Sequence, residues 1–265
     1  MRIIFATLTA GALMSMPLIG AGTASAESTG PVPTGNAALT GNPVYKSGTF
    51  PAQTCEEPTI RGGDIDSVRL YAEAMSACLG KAWKAQLKKS GIPFTEPEIA
   101  VAYGNRVKTA CGAYRPGDTF GLYCQKNKTV YLMVNEYGIS NERNSPQMLE
   151  SLSIAYGYHV QRLIGVLGQE ARTAKKLSKA KALSLSSKVS LQNICFAGAF
   201  VGSVWDSLGH TQKYGSDFFV NRHSMGSDTK GEGTTKNRIY WLKRGFDAQS
   251  PGACNTFTAP ASRVA

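Results

Sequence analysis

The sequence predicts an α+β domain in which a small sheet sits against a helical core and disulfides staple the whole. Three observations predict it. Apolar residues recur at three- and four-residue steps in several long stretches, the period of helices with one buried face. Shorter apolar or aromatic runs bounded by turn residues lie between them and read as strands. Six cysteines, Cys55, Cys78, Cys111, Cys124, Cys195 and Cys254, form an even set in a chain that opens like an exported one, which points to three disulfides. No internal repeat is visible, and the length suits one sizeable core or two small ones.

The chain opens with Met1-Arg2, an apolar run from Ile3 to Ile19, and the small residues Thr23-Ala24-Ser25-Ala26. This is the pattern of a secretory signal peptide over residues 1–26, with cleavage expected after Ala26. Gly11, Pro17, Gly20 and Gly22 interrupt the run, which is also short for a membrane span. No later stretch is long and apolar enough to cross a bilayer, so the mature chain is expected to be secreted, without a transmembrane segment. Loss of Arg2 takes the net charge from +11 to +10. That excess favours anionic surfaces such as cell-envelope polymers, and it also keeps a secreted protein soluble.

Residues 27–54 are rich in Gly, Pro, Thr, Ser and Asn and are expected to form a flexible lead, with the domain running over 55–258 and a short tail over 259–265. Asp64 is a good helix cap, and Val68, Tyr71, Ala72, Met75, Leu79, Ala82, Trp83 and Leu87 follow at helical spacing before Gly91 and Pro93 stop the helix. Glu98 to Tyr103 reads as a strand. Phe120 to Cys124 and Thr129 to Val134 read as two more, joined by a turn over 125–128. In the last strand both alternating sets are apolar or aromatic, so it is expected to be covered on both faces.

Gln147 to Gly168 carries Leu149, Leu152, Ile154, Ala155, Val160, Leu163, Ile164 and Leu167 and reads as one amphipathic helix. Glu170 to Lys188 is a basic segment with Lys175, Lys176, Lys179, Lys181 and Lys188. Its bland reading is an exposed loop and helix. Its functional reading is an anion-binding patch, and the lack of interleaved aromatics argues against nucleic acid. A second apolar helix spans Leu191 to Val204, with Ala197, Gly198, Ala199 and Gly202 permitting close approach. After a loop over 214–228, Thr234 to Gly245 reads as a last helix with Ile239, Leu242 and Phe246 facing inward.

Three blocks resemble the neutral zinc metallopeptidase family of bacteria. The first is Ile154-Ala155-Tyr156-Gly157-Tyr158-His159-Val160-Gln161, where the family carries His-Glu-x-Gly-His-His-Val-Gln. The second is Ser190-Leu191-Gln192-Asn193-Ile194-Cys195-Phe196-Ala197-Gly198, against Glu-Leu-Gln-Ala-Asp-Cys-x-Ala-Gly. The third runs from Glu232-Gly233 through Arg238-Ile239-Tyr240-Trp241-Leu242 to Cys254 and Phe257. The resemblance covers about Cys78 to Phe257 and implies a zincin-like α+β fold.

A zincin holds its metal through two histidines four residues apart on one helix face, with a glutamate beside the first as general base and a third ligand from a later helix. Here the resemblance places Ile154 and Tyr158 at the two histidines, Ala155 at the base and Ser190 at the third ligand. Glu232 stands where the family has a late histidine. Ile154 has no lone pair, and a neutral phenol is a poor ligand. The expectation is therefore a member with no zinc and no general base, its cleft plugged or remodelled, acting by binding a protein, peptide or envelope polymer. Tyr156, Tyr158, His159 and Glu232 are the candidates for a residual groove. The alternative is an active peptidase with a relocated metal, drawing on Glu150, His159, Asp206, His210, His223 and Glu232, in which Asp206 and His210 would share a helix face.

Overall fold

The computed structural model describes residues 32–115, 117, 119–140, 145–210 and 228–264. The expected signal peptide over 1–26, the first residues of the lead, His223 and nearly all of the 214–228 loop lie outside these residues. In chain order the elements are α1 (Gly35–Leu39), α2 (Ile65–Lys89), β1 (Glu98–Tyr103), β2 (Val107–Thr109), β3 (Gly112–Tyr114), β4 (Thr119–Cys124), β5 (Thr129–Val134), α3 (Glu136–Ile139), α4 (Ser145–Leu163), α5 (Val166–Ala174), α6 (Lys179–Val204) and α7 (Thr235–Ala248). Short 3-10 turns join several of them.

Asp64 caps α2 by accepting from the N–H groups of Asp66 at 2.9 Å and Ser67 at 3.2 Å, which satisfies two donors that the first helical turn leaves orphaned. The whole predicted stripe from Val68 to Leu87 is buried. The sheet has the order β1-β5-β4: β1 runs parallel to β5 and β4 antiparallel to it. The central strand is covered on both faces, since Val130, Leu132, Met133 and Val134 all lack exposed surface. β2 and β3 form a separate hairpin. It is tied to β4 by the Cys111–Cys124 disulfide.

Helix α4 lies across β4 and β5, with α2 and α6 packed on it. The predicted single helix over 147–168 is in fact two. Gly165 takes a left-handed backbone at φ 84° and starts α5, and a side chain there would press within 2.5 Å of the Pro33 carbonyl. The basic segment is divided between α5, a turn and the first turns of α6. The second apolar helix starts at Lys179 instead of Leu191, because half-buried Leu185 and buried Val189 extend its inner face. Its small residues meet α7 most closely: a Cβ on Gly202 would lie 2.2 Å from the Phe246 carbonyl, and one on Gly245 2.1 Å from that of Cys195.

The structure differs from expectation at the lead, the tail and α7. The described part of the lead, residues 32–54, is packed into the core. Ala38 and Val44 are fully buried, Phe50 stands edge-on to Trp83 at 4.9 Å, and the Asn42 amide donates to the carbonyls of Ala38 and Ile164, both at 2.9 Å. Few apolar residues suffice there because Ala38, Leu39, Val44 and Phe50 are buried and nearby backbone groups are satisfied by side chains. The tail is docked too: Trp241 donates to the Arg263 carbonyl at 2.7 Å, Arg263 covers Tyr240, and Val264 is buried. On α7, Leu242 and Phe246 face inward as expected, but Trp241 takes the third inward place and Ile239 stays half-buried.

Disulfides join Cys55 to Cys78, Cys111 to Cys124 and Cys195 to Cys254. Among the described residues no helix is long and apolar enough to cross a membrane.

Candidate functional site

Between Pro146 and Gln161 every residue of α4 is buried except Ile154 and Tyr158. These two lie one turn apart on one face. They look into a cleft of about 900 Å³, which Ser190 and Ile194 of α6, Glu170 of α5 and Glu232 from the turn before α7 also line. The fold thus brings Ile154, Tyr158, Ser190 and Glu232 into one place, although they are scattered over 79 positions of sequence from 154 to 232. The remaining wall is β4, through Phe120, Leu122 and Tyr123.

Ala155 does not line the cleft. It is fully buried against β4 at Gly121, where an added Cβ would fall 3.2 Å from the Ala155 methyl and 1.9 Å from the Ser151 carbonyl. A glycine is needed at 121 for α4 to approach the strand this closely. Of the two expectations for the cleft, plugged or remodelled, the plug is not found among the described residues. Ile154 and Tyr158 cap the floor without filling the space above it, and the lining mixes hydroxyls and carboxylates with apolar side chains.

The cleft's electrostatics keep Tyr158 a neutral phenol. Burial pushes its pKa up, a hydrogen bond with Ser190 works against that, and the carboxylates of Glu232 and Glu170 push it further up. Burial also raises the Glu170 carboxyl above the usual carboxylate range. Zinc is the metal that the resemblance implies, and the donor set does not fit it. Ile154 offers no donor, Tyr158 holds its proton, and Glu232 is the one carboxylate among the matching positions. A stable zinc site needs three or four strong ligands.

Tyr156 and His159, expected in the groove, lie behind it. His159 is fully buried. Its Nε2 is 2.7 Å from the Thr95 carbonyl and its Nδ1 is 3.2 Å from the Tyr123 hydroxyl. A carbonyl can only accept, so Nε2 carries the proton and Nδ1 accepts from Tyr123. Burial depresses the pKa of the imidazole, and the Thr95 hydrogen bond partly offsets this. Tyr156 donates to Glu96 Oε2 at 2.7 Å.

The described residues of a relocated metal site do not assemble; His223 lies outside them. Glu150 is buried within α4, while Glu232 is exposed in the cleft. Asp206 and His210 do not share a helix face: α6 ends at Val204, a 3-10 turn covers Asp206–Leu208, and Gly209 turns left-handed at φ 78°. His210 then reaches Glu57, with Nε2 3.0 Å from Oε2, and stacks on Trp205. Among the described residues no three His, Cys, Asp or Glu side chains gather to hold a metal ion. Lys175, Lys176, Lys179 and Lys181 are exposed around the α5–α6 turn.

Sequence reasoning misses Glu170 and the β4 wall. Glu170 sits in a run dominated by lysines, and only the break at Gly165 aims α5 so that this residue faces the cleft.

A family model described as "putative neutral zinc metallopeptidase" matches residues 49–257. The chain is 28% identical over 211 residues to the uncharacterized protein YpfJ of Escherichia coli, covering 72% of each chain. It is 24% identical over 197 residues to the uncharacterized protein Rv2575 of Mycobacterium tuberculosis, covering 63% of this chain and 64% of that one. No solved structure matches.

Proposed function

The chain belongs to the neutral zinc metallopeptidase family, and from that premise we propose that it is a secreted, catalytically silent member that binds a polypeptide segment in its cleft. One observation carries the reading. Ile154, Tyr158, Ser190 and Glu232 converge on an open cleft of about 900 Å³ that carries no histidine. Peptide hydrolysis by the family route needs a metal-bound water acidified to near neutrality and a general base beside it. Ile154 and Ala155 supply neither. Two further features support binding. The cleft volume falls in the range of about 300–1,000 Å³ usual for ligand sites. Its wall, β4, is an edge strand with a partner on one side only among the described residues, and an extended segment can pair with such an edge.

Metal analysis and a peptidase assay test the silent part. The expected result is no stoichiometric zinc and no chelator-sensitive cleavage. One tightly bound zinc per chain would sink it. Export is checked by the intact mass of the protein recovered outside the cell, which should begin at Glu27. The three disulfides are compatible with an oxidising compartment. The relocated-metal alternative has no support among the described residues. The exposed lysines around the α5–α6 turn are compatible with loose attraction to an anionic envelope polymer, tested by charge reversal at Lys175, Lys176, Lys179 and Lys181.

A further inference from the structure

We propose that the cleft selects an extended polypeptide segment that presents a lysine or arginine side chain between apolar neighbours. The inference rests on the reading of the cleft as a polypeptide-binding groove and adds the chemistry of what it takes.

Charge complementarity carries it. The chain is strongly basic, at +11, yet the carboxylates that line its cleft, Glu170 and Glu232, come from two different elements and act on the same phenol, Tyr158. Neither forms an ion pair among the described residues. The lining holds one cation, Arg238, and its guanidinium is engaged locally, donating to the Gly233 carbonyl at 2.7 Å and to Thr235 Oγ1 at 3.0 Å. Tyr158 stays neutral and balances neither acid. The half-buried Glu170 carboxyl is held above its usual range by burial, so a cation brought in by a ligand would relieve a standing desolvation cost.

The surrounding wall sets the neighbours. Phe120 and Leu122 of β4, Ile154 of α4 and Ile194 of α6 also line the cleft and are apolar, and Phe120 is 43% exposed despite its size. Side chains on either side of the ligand's cation can bury against them, while its backbone pairs with the open edge of β4. The long-range field of the protein works the other way. A net positive chain repels cations and attracts anions, so a preference for a basic segment can arise only from the local carboxylates.

Three labelled heptapeptides test this by fluorescence anisotropy on the full-length mature protein. They carry lysine, norleucine or glutamate at the centre, each between two phenylalanines. The lysine peptide is expected to bind about tenfold more tightly than the norleucine peptide. The Glu170→Gln/Glu232→Gln variant should erase that advantage, read as the ratio of lysine to norleucine affinity within the variant, and each single variant should erase part of it. In about 1 M salt, where the screening length is about 3 Å, the advantage should shrink while norleucine binding persists. Equal binding of lysine and norleucine peptides, or an advantage that survives in the double variant, overturns the charge inference and leaves the groove reading standing. Failure of all three peptides to bind overturns both.

Discussion

The two sides of helix α4 part company at adjacent residues. On one side, Ile154 and Tyr158 look into an open cleft. On the other, Tyr156 and His159 are buried in hydrogen bonds with Glu96, Thr95 and Tyr123. The side that would hold a metal carries a side chain without lone pairs and a neutral phenol. The side that holds the fold together keeps its histidine. The difference teaches that a histidine in a metallopeptidase-like block need not be a ligand. His159 has both ring nitrogens occupied by protein partners and no surface, which leaves it nothing to offer a metal.

The contrast breaks first at His159. Replacement by leucine would strand the Thr95 carbonyl and the Tyr123 hydroxyl in the interior and should cost about 3 kcal/mol, lowering Tm by about 6–12 °C. Thermal and denaturant unfolding both measure it. The same residue sets a pH dependence. Its folded pKa lies below the unfolded value near 6.5, so above that value both states are neutral and nothing is lost. As pH falls through 6.5 toward the folded pKa, the unfolded chain takes up the proton first and stability drops. The His159→Leu variant should lack this part of the acid sensitivity. An unchanged stability–pH profile would show that the imidazole is not buried neutral.

Next in size is Tyr156→Phe. It removes the donor to the Glu96 carboxylate and should cost about 2 kcal/mol. The cleft side should tolerate more. A combined Ile154→His/Tyr158→His/Ser190→Glu variant places ligands at positions that already share the cleft, and it should bind about one zinc per chain with less than about 2 kcal/mol of destabilisation. Without a glutamate at Ala155 it should still not cleave peptides. Failure to take up zinc would mean that the matching positions do not point at a common centre. Smallest of all is Tyr158→Phe, which removes a hydroxyl at a partly buried site lining the cleft and should change stability by less than about 1 kcal/mol. A larger loss would move Tyr158 from the cleft to the framework.

Much of this was legible in the chain. The stripe of α2, its Asp64 cap, β1, β5 and the doubly covered central strand follow from periods of 3.6 and 2 and from local turn chemistry, which need no knowledge of the partner surface. The break at Gly165 was not legible, because a glycine after Ile164 continues a helix unless something occupies its far side, and that something is Pro33, 132 positions earlier. The lead was misjudged for a related reason. Its composition is that of a flexible segment, but Val44 and Phe50 find pockets that only the assembled α2 and α6 provide. At the site, Ile154, Tyr158, Ser190 and Glu232 were legible by motif position. Glu170 and β4 were not, since nothing local says which way α5 points.

What the sequence determined by itself is chemical: Ile154 cannot ligate, Ala155 cannot act as a base, and six cysteines are enough for three disulfides. Those statements hold in any conformation because they depend on which atoms are present. Tertiary structure decided where those atoms stand. It put Ile154 and Tyr158 at the surface of an otherwise buried helix, kept the cleft open, sent His159 and Tyr156 behind it, and drew Glu170 and Glu232 toward one phenol. These are outcomes of packing between α4, α5, α6 and β4, and they depend on distances between residues that the order of the chain does not encode.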